Sequence, residues 1–213
     1  QTHAHWDHVG GSHLFERVLA HPAEVESLRT GMAHADYMRT MARFTSLISM
    51  PNSWDPETAH IPGKEPSGLL NDGDTIDLGG RVLEAYETPG HAAGGMSFLD
   101  RTGRALFVGD AINLALAMLL CLDGSDPLAF GATLQRLAEL AEHVDTIYPG
   151  HGPLLTPADV REIRDAWNDV LAGRAPDGQQ DLDLGMAATI PVDVFSFGRF
   201  AFNLSPGALA GSD

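Results

Sequence analysis

Two kinds of hydrophobic pattern follow one another along this chain. Short apolar segments bounded by turn signals such as Asp72-Gly73 are typical of strands. Longer segments carry apolar residues at a spacing of three or four, as in Leu134, Leu137 and Leu140, which predicts amphipathic helices. Because strands and helices are interspersed, the pattern predicts an α/β protein. The predicted strands are 81–86, 96–99, 105–108 and 146–148, and the predicted helices are 128–144 and 156–173.

Shorter elements are predicted before the main strands. Residues 12–18 and 23–29 favour short helices, with a strand at 18–20 between them. Residues 31–66 then form an inserted helical segment that is rich in methionine. Methionine suits adaptable apolar pockets, so the insert is either a cover over a substrate or a segment that packs only on its own domain.

The C-terminal part of the chain is expected to be separate from the main domain. Residues 174–188 are polar and predict a linker. Residues 190–204 alternate as a β-hairpin does, with a turn at Gly198-Arg199. We therefore expect a main domain at 1–173, followed by a linker and hairpin tail at 174–213.

The composition is strongly acidic, with a formal net charge of −16 and Lys64 as the only lysine. Such a surface repels phosphate backbones and anionic lipid, so we expect neither nucleic acid nor a membrane as a partner. The longest apolar run, residues 114–122, is too short to cross a bilayer. Cys121 is the only cysteine and excludes an internal disulfide, which favours a cytoplasmic location. Scarce lysine beside abundant alanine, glycine and arginine is typical of a GC-rich bacterial gene.

Three histidines and one carboxylate lie within six residues of the opening segment, Thr2-His3-Ala4-His5-Trp6-Asp7-His8-Val9-Gly10-Gly11. Imidazole and carboxylate together are typical ligands of zinc, iron and manganese. In an extended segment the side chains of His3, His5 and Asp7 project to one side, and a turn at Asp7-His8 would bring His8 into the same pocket. Two ligands in alternation followed by two adjacent ones are too many for one tetrahedral site. They fit two sites side by side.

Three further candidates directly follow predicted strands. His91 ends the segment Thr88-Pro89-Gly90-His91, Asp110 follows Gly109, and His151 lies in Pro149-Gly150-His151. Corners between a strand and a loop are the usual position of functional groups in α/β folds. The other histidines have no such context, and we expect them to be solvated or to pack: His13, His21, His34, His60 and His143.

The order of these motifs, His-x-His-x-Asp-His, Thr-Pro-Gly-His, Gly-Asp and Pro-Gly-His, resembles the metallo-β-lactamase superfamily and its glyoxalase II-like branch. The resemblance covers residues 1 to about 173. It implies an αββα sandwich and two divalent metal ions, with zinc favoured over iron or manganese. By this resemblance one metal is held by His3, His5 and His91, the second by Asp7, His8 and His151, and Asp110 bridges the two.

The same resemblance sets an expectation for the N-terminus. In that fold several strands precede the histidine-rich loop and form much of the first sheet. Only Gln1 and Thr2 precede His3 here. We therefore expect the N-terminal strands to be missing from this chain.

The resemblance also implies a hydrolase. Two cations about 3.5–4 Å apart can share a water, lower its pKa toward about 7 and stabilise the oxyanion formed when the bridging hydroxide attacks. Asp7 is the candidate to orient this nucleophile and to pass its proton to the leaving group, and the alternative is that Asp7 is only a ligand.

Hydrolysis of an ester-type bond in a small-molecule substrate is the favoured reaction, and a thioester with a hydrophobic acyl part is the favoured substrate. The apolar run beyond Asp110 and the methionine-rich insert support this choice. The segment Tyr148-Pro149-Gly150-His151-Gly152-Pro153 departs from the Gly-His-Glu-Tyr typical of glyoxalase II, which argues against glutathione. The alternatives are a lactonase, a β-lactamase-like amide hydrolase and, in another class, a non-catalytic metal-binding module.

Overall fold

The computed structural model describes residues 1–44 and 55–210, so part of the predicted insert, residues 45–54, lies outside the described residues. Within the described ranges no helix is long and apolar enough to span a bilayer. Helices and strands are interspersed along the chain, which confirms the predicted α/β class. The α-helices are α1 (Trp6–Val9), α2 (Val25–Thr30), α3 (His34–Phe44), α4 (Pro127–Ala141) and α5 (Pro157–Leu171).

The strands of the described residues form three sheets. They are β1 (Leu19–Ala20), β2 (Gly68–Leu69), β3 (Thr75–Asp77), β4 (Val82–Glu87), β5 (Met96–Asp100), β6 (Ala105–Gly109), β7 (Ala117–Leu120), β8 (Thr146–Pro149), β9 (Gly178–Leu182), β10 (Ile190–Ser196) and β11 (Ala201–Leu204). A five-stranded sheet has the order β3-β4-β5-β6-β8, a four-stranded sheet has the order β7-β11-β10-β9, and β1 pairs with β2. The pair β6–β8 is parallel, whereas β4, β5 and β6 alternate in direction. The C-terminal ends of β4, β6 and β8 therefore lie at the same edge of the larger sheet.

The two long helices begin at well-formed caps. The side chain of Asp126 accepts hydrogen bonds from the first turn of α4, and Thr156 and Asp159 form a capping box at the start of α5. The apolar faces of these helices meet in the main core. There the rings of Phe130 and Trp167 lie 5.0 Å apart and those of Trp167 and Phe202 lie 5.1 Å apart, in edge-to-face contacts that join both helices to β11.

The C-terminal segment is more regular than the sequence indicates. The predicted hairpin is present as β10 and β11, but residues 178–182, within the predicted linker, form strand β9. The prediction of a linker is wrong there, because the polar side chains belong to an exposed edge strand and not to an irregular segment. Strand β7, within the apolar run 114–122, pairs in parallel with β11 and so joins the hairpin to the rest of the structure. The division of the chain into two domains at residue 173 stays a prediction.

The structure corrects the prediction for residues 12–18 and shows what the described part of the insert contacts. The predicted helix at 12–18 is only a 3-10 turn over Ser12–Leu14, because the backbone of Phe15 is extended and the amide of Val18 donates a hydrogen bond to the side chain of Ser67. The described parts of the insert lie close to two regions. Arg43 pairs with Asp183 in the β9–β10 loop. The side chain of Ile61 lies beside Gly10, since a Cβ atom added to Gly10 would be 3.9 Å from Ile61 Cδ1. The insert thus reaches the turn that follows the histidine-rich motif. Its role in substrate choice stays a prediction.

Candidate metal centre

Side chains from four segments of the chain meet at the edge where β4, β6 and β8 end. They form two adjacent groups, and within each group one ligand atom per residue lies within 4.8 Å of the others. The histidine triad consists of His3, His5 and His91, and the carboxylate tetrad consists of Asp7, His8, Asp110 and His151. All seven residues singled out in the sequence are therefore close together, although they are spread from residue 3 to residue 151.

The opening motif changes conformation in its middle. The backbone of His5 is extended, but helix α1 begins at Trp6, and the amide of Val9 donates a hydrogen bond to the carbonyl of His5. The expected alternation of side chains therefore applies to His3 and His5, whereas Asp7 was wrongly placed in the extended segment. The helical turn directs Asp7 and His8 to the second group.

Close backbone packing brings Asp110 and His151 together. They follow the adjacent parallel strands β6 and β8, and the amide of Gly150 donates a hydrogen bond of 2.7 Å to the carbonyl of Gly109. A Cβ atom at Gly150 would overlap the carboxylate of Asp110 and would lie 2.6 Å from His8 Cε1. Only glycine fits before His151, which explains the Pro-Gly-His sequence at this corner.

The loop that carries His91 is fixed by the start of helix α4. Three successive loop carbonyls each accept a hydrogen bond from this region. Thr133 Oγ1 donates to Pro89 at 2.6 Å, the amide of Asp126 donates to Gly90 at 2.8 Å, and Ser125 Oγ donates to His91 at 2.9 Å. These supports could not be predicted from the sequence, because Ser125 and Asp126 beside Pro127 are recognisable only as helix-start residues.

The ring of His91 has a defined orientation. Its Nδ1 lies 2.9 Å from the carbonyl oxygen of Leu119, which can only accept, so Nδ1 carries the proton. Its Nε2 then faces His5 Nδ1 at 2.9 Å. In the same group His3 Nδ1 lies 3.2 Å from Thr2 Oγ1. A histidine whose other nitrogen is held in this way presents a fixed lone pair to a metal ion.

Asp110, a member of the tetrad, lies on the side of the tetrad that faces the triad. Its Oδ1 is 3.2 Å from His8 Nε2, and its Oδ2 is 3.3 Å from His151 Nε2 and 3.7 Å from His91 Nε2. On the solvent side of the tetrad, Asp7 Oδ2 lies 3.0 Å from His151 Nε2. One carboxylate is thus within reach of both the triad and the tetrad.

Unpaired buried atoms test whether these residues fit a metal. Among the described residues, His3 Nε2 and Asp110 Oδ1 are buried and have no hydrogen-bond partner, and His3 is only 2% exposed. Leaving such atoms unpaired is costly, and coordination to a cation would give each of them a partner. Imidazole and carboxylate donors in this proportion match zinc, iron or manganese. The residues therefore fit two divalent cations.

The electrostatics of the two groups differ. Burial, followed by the neighbouring histidines, lowers the pKa of His3 to about 2, and burial and His5 lower the pKa of His91 to about 4. Hydrogen bonds to Asp110 and Asp7 raise the pKa of His151 to about 10. Burial raises the pKa of Asp110, but the imidazoles of His151 and His8 beside its carboxylate outweigh the effect of burial and hold this pKa well below its usual range. The triad therefore offers neutral imidazoles, and the tetrad offers ionised carboxylates.

The chain is similar in sequence to two proteins that are named as a thioesterase and a hydrolase. The chain is 32% identical over 155 residues to the Homo sapiens acyl-coenzyme A thioesterase MBLAC2, an alignment that covers 70% of this chain and 54% of that protein. It is 28% identical over 175 residues to a hydroxyacylglutathione hydrolase of Methylobacterium sp. (strain 4-46), covering 82% of this chain and 55% of that protein. The chain thus spans about half the length of these relatives.

A solved structure shares the fold. The crystal structure of TTHA1623 in a di-iron-bound form has a TM-score of 0.52 and 29% sequence identity to this chain, and the match covers 74% of this chain and 70% of that one. The family model for the metallo-beta-lactamase superfamily matches residues 1–151. The resemblance indicated by the order of the motifs and the αββα fold class are therefore confirmed. This chain belongs to the metallo-beta-lactamase superfamily.

Proposed function

We propose that this chain forms the catalytic site of a two-metal hydrolase, and that the bond it cleaves is a thioester with a hydrophobic acyl part. The position of Asp110 carries this proposal. Its Oδ2 lies 3.7 Å from His91 Nε2 in the triad and 3.3 Å from His151 Nε2 in the tetrad, and its Oδ1 lies 3.2 Å from His8 Nε2. A carboxylate so placed supports two adjacent metal sites that share one ligand.

The ligand assignment follows from the two groups. His3, His5 and His91 would hold the first cation, Asp7, His8 and His151 would hold the second, and Asp110 would contact both. When bound, two such cations supply a water of lowered pKa and stabilise negative charge on a carbonyl oxygen.

Asp7 is the candidate for proton transfer. Burial raises its pKa, but the hydrogen bond with His151 outweighs it, so the pKa is lowered and the side chain is a carboxylate at neutral pH. The side chain of Asp7 is also among the more exposed ones of the tetrad. It can therefore orient a water by accepting its proton. Once protonated, a carboxyl group of low pKa is a strong acid that readily passes the proton to a thiolate leaving group.

Two exposed leucines support a hydrophobic acyl part. Leu116 is 58% exposed and follows Asp110 in the chain, and Leu154 is 57% exposed and follows His151. The two loops contact each other, because a Cβ atom at Gly152 would lie 2.5 Å from Ala115 Cβ. Exposed apolar side chains on both loops of the tetrad offer a surface for an acyl chain. The name of the relative MBLAC2, an acyl-coenzyme A thioesterase, supports the same substrate class.

Turnover by the zinc-loaded protein tests this proposal. The panel contains acyl thioesters of different chain length, lactones, nitrocefin and a phosphodiester. We expect thioesters with long acyl chains to be cleaved fastest, and we expect a chelator to abolish this activity and zinc to restore it. Faster turnover of lactones or of nitrocefin would contradict the thioester assignment. Binding of zinc without turnover of any compound would indicate a metal-binding module.

A further inference from the structure

Glu24 is a buried carboxylate next to the histidine triad. It ends the 3-10 turn Pro22–Glu24 before α2, and only 7% of the residue is exposed. Its carboxylate forms no ion pair with any residue in the described part of the chain. Instead, Oε2 accepts a hydrogen bond of 2.7 Å from the amide of Ala4, and Oε1 accepts one of 2.8 Å from the amide of Gly94.

These two amides belong to the segments that supply the whole triad. Ala4 lies between His3 and His5, and Gly94 lies three residues after His91. Burying an unpaired carboxylate is costly, and hydrogen bonds from two amides to an ionised group are among the stronger ones in proteins. One side chain therefore holds both triad segments at a fixed separation.

The approach of Gly94 to Glu24 leaves no room for a side chain. A Cβ atom at Gly94 would lie 2.6 Å from Glu24 Cγ and 2.6 Å from His21 Nδ1. His21 in turn fixes the start of the turn that carries Glu24. Its Nδ1 accepts a hydrogen bond from the amide of Ala23, and its Nε2 lies 3.2 Å from Glu87 Oε1.

We infer that Glu24 is a positioning residue for the first metal site, and that it acts by setting the distance between the His3-to-His5 segment and the His91 loop. This inference rests on the proposed two-metal function. Glu24 contacts none of the triad rings through the hydrogen bonds described, so its effect passes through the backbone. Its loss should loosen the triad and weaken the first site more than the second.

Matched variants test this role. Glu24→Gln keeps the length of the side chain but places an amide NH2 group against a backbone N–H donor. Gly94→Ala leaves the carboxylate intact and displaces it sterically. The control is Glu26→Gln, two residues along, where the side chain is 78% exposed and pairs with Arg29. Zinc affinity is measured by competition with a chromophoric chelator, and the geometry of the site is followed by the absorption spectrum of the Co²⁺-substituted protein.

We expect Glu24→Gln and Gly94→Ala to bind the first zinc ion about 10–100-fold more weakly, as is typical when a support of a metal ligand is lost. Their Co²⁺ spectra should change, whereas Glu26→Gln should match the wild type. Wild-type affinity and spectrum in both variants would overturn the inference. If both variants are insoluble even with zinc, Glu24 is required for folding as a whole and the positioning role is overturned. A wild-type protein that binds no zinc would instead overturn the proposed function on which this inference rests.

Discussion

The backbone carbonyl of Leu119 accepts a hydrogen bond from Nδ1 of His91, with 2.9 Å between the two atoms. Leu119 lies in β7, where it is paired with Asn203 of β11. The C-terminal hairpin therefore supports the strand that orients one histidine of the triad. A segment that the sequence suggests is a separate tail is connected to the candidate site through one strand.

This connection predicts that Phe202 matters for stability. Phe202 is fully buried, is paired with Met118 of β7 and packs against Trp167. We expect Phe202→Ala to lower the free energy of unfolding by about 3–5 kcal/mol, because it leaves a cavity in the main core. Urea denaturation of the metal-free protein measures this loss. Phe15→Ala is the matched control, because Phe15 is 64% exposed and its removal should change stability by no more than about 0.5 kcal/mol. Equal effects of the two variants would show that the hairpin is not part of the core.

A second prediction concerns the shared ligand. Asp110→Ala removes a carboxylate that is within reach of both groups, so the protein should lose most of the second metal and nearly all turnover while it remains soluble. Metal analysis after gel filtration measures the stoichiometry. His34→Ala and His143→Ala are controls that should change neither property, since both residues lie outside the triad and the tetrad. Two full metal equivalents in Asp110→Ala would contradict the bridging role.

The clustering of the seven candidate ligands could be predicted from the sequence because each one carries its own signal. His3, His5, Asp7 and His8 form a dense motif, and His91, Asp110 and His151 each follow a strand and a glycine. Periodicity likewise revealed α4, α5 and the C-terminal hairpin, in which one face of each element packs in the core. Where a residue's chemistry and its place in a pattern agree, the local sequence is sufficient to predict its position in the fold.

Strands β7 and β9 and the supports of the candidate site have no comparable signal in the sequence. Strand β9 is polar because it is an exposed edge, and β7 lies in a continuous apolar run that does not distinguish a strand from a buried helix. The supports of the site are equally hidden. Every residue has a backbone carbonyl, so nothing in the sequence distinguishes that of Leu119. Glu24 resembles any acidic residue near the start of a helix until the fold places Ala4 and Gly94 beside it.

The tetrad predicts a specific pH dependence of the metal-free protein. Hydrogen bonds to Asp110 and Asp7 raise the pKa of His151 from 6.5 to about 10 in the folded state. A raised pKa means that the stabilisation is complete below pH 6.5 and is lost as the pH rises toward 10. The difference in stability between the wild type and His151→Gln should therefore shrink over this range. Urea midpoints of both proteins, measured with a chelator present, give this difference.

The control for this pH dependence is His143→Gln, because His143 is exposed and lies outside both groups. Its difference from the wild type should show no comparable trend. A constant difference between the wild type and His151→Gln from pH 6.5 to pH 10 would mean that His151 is not protonated between the two carboxylates.

The last prediction concerns the acyl chain of the substrate. If Leu116 forms part of the acyl-binding surface, Leu116→Ser should lower kcat/KM for a long-chain thioester about 5–30-fold, since loss of apolar contact of this size corresponds to about 1–2 kcal/mol. An acetyl thioester does not reach this surface and should be cleaved at nearly the wild-type rate. Leu78→Ser is the matched control, because Leu78 is also 58% exposed but lies in the turn between β3 and β4, far along the chain from the tetrad loops. An equal loss for the long and the acetyl substrate would show that Leu116 affects the metal site itself and does not select the acyl chain.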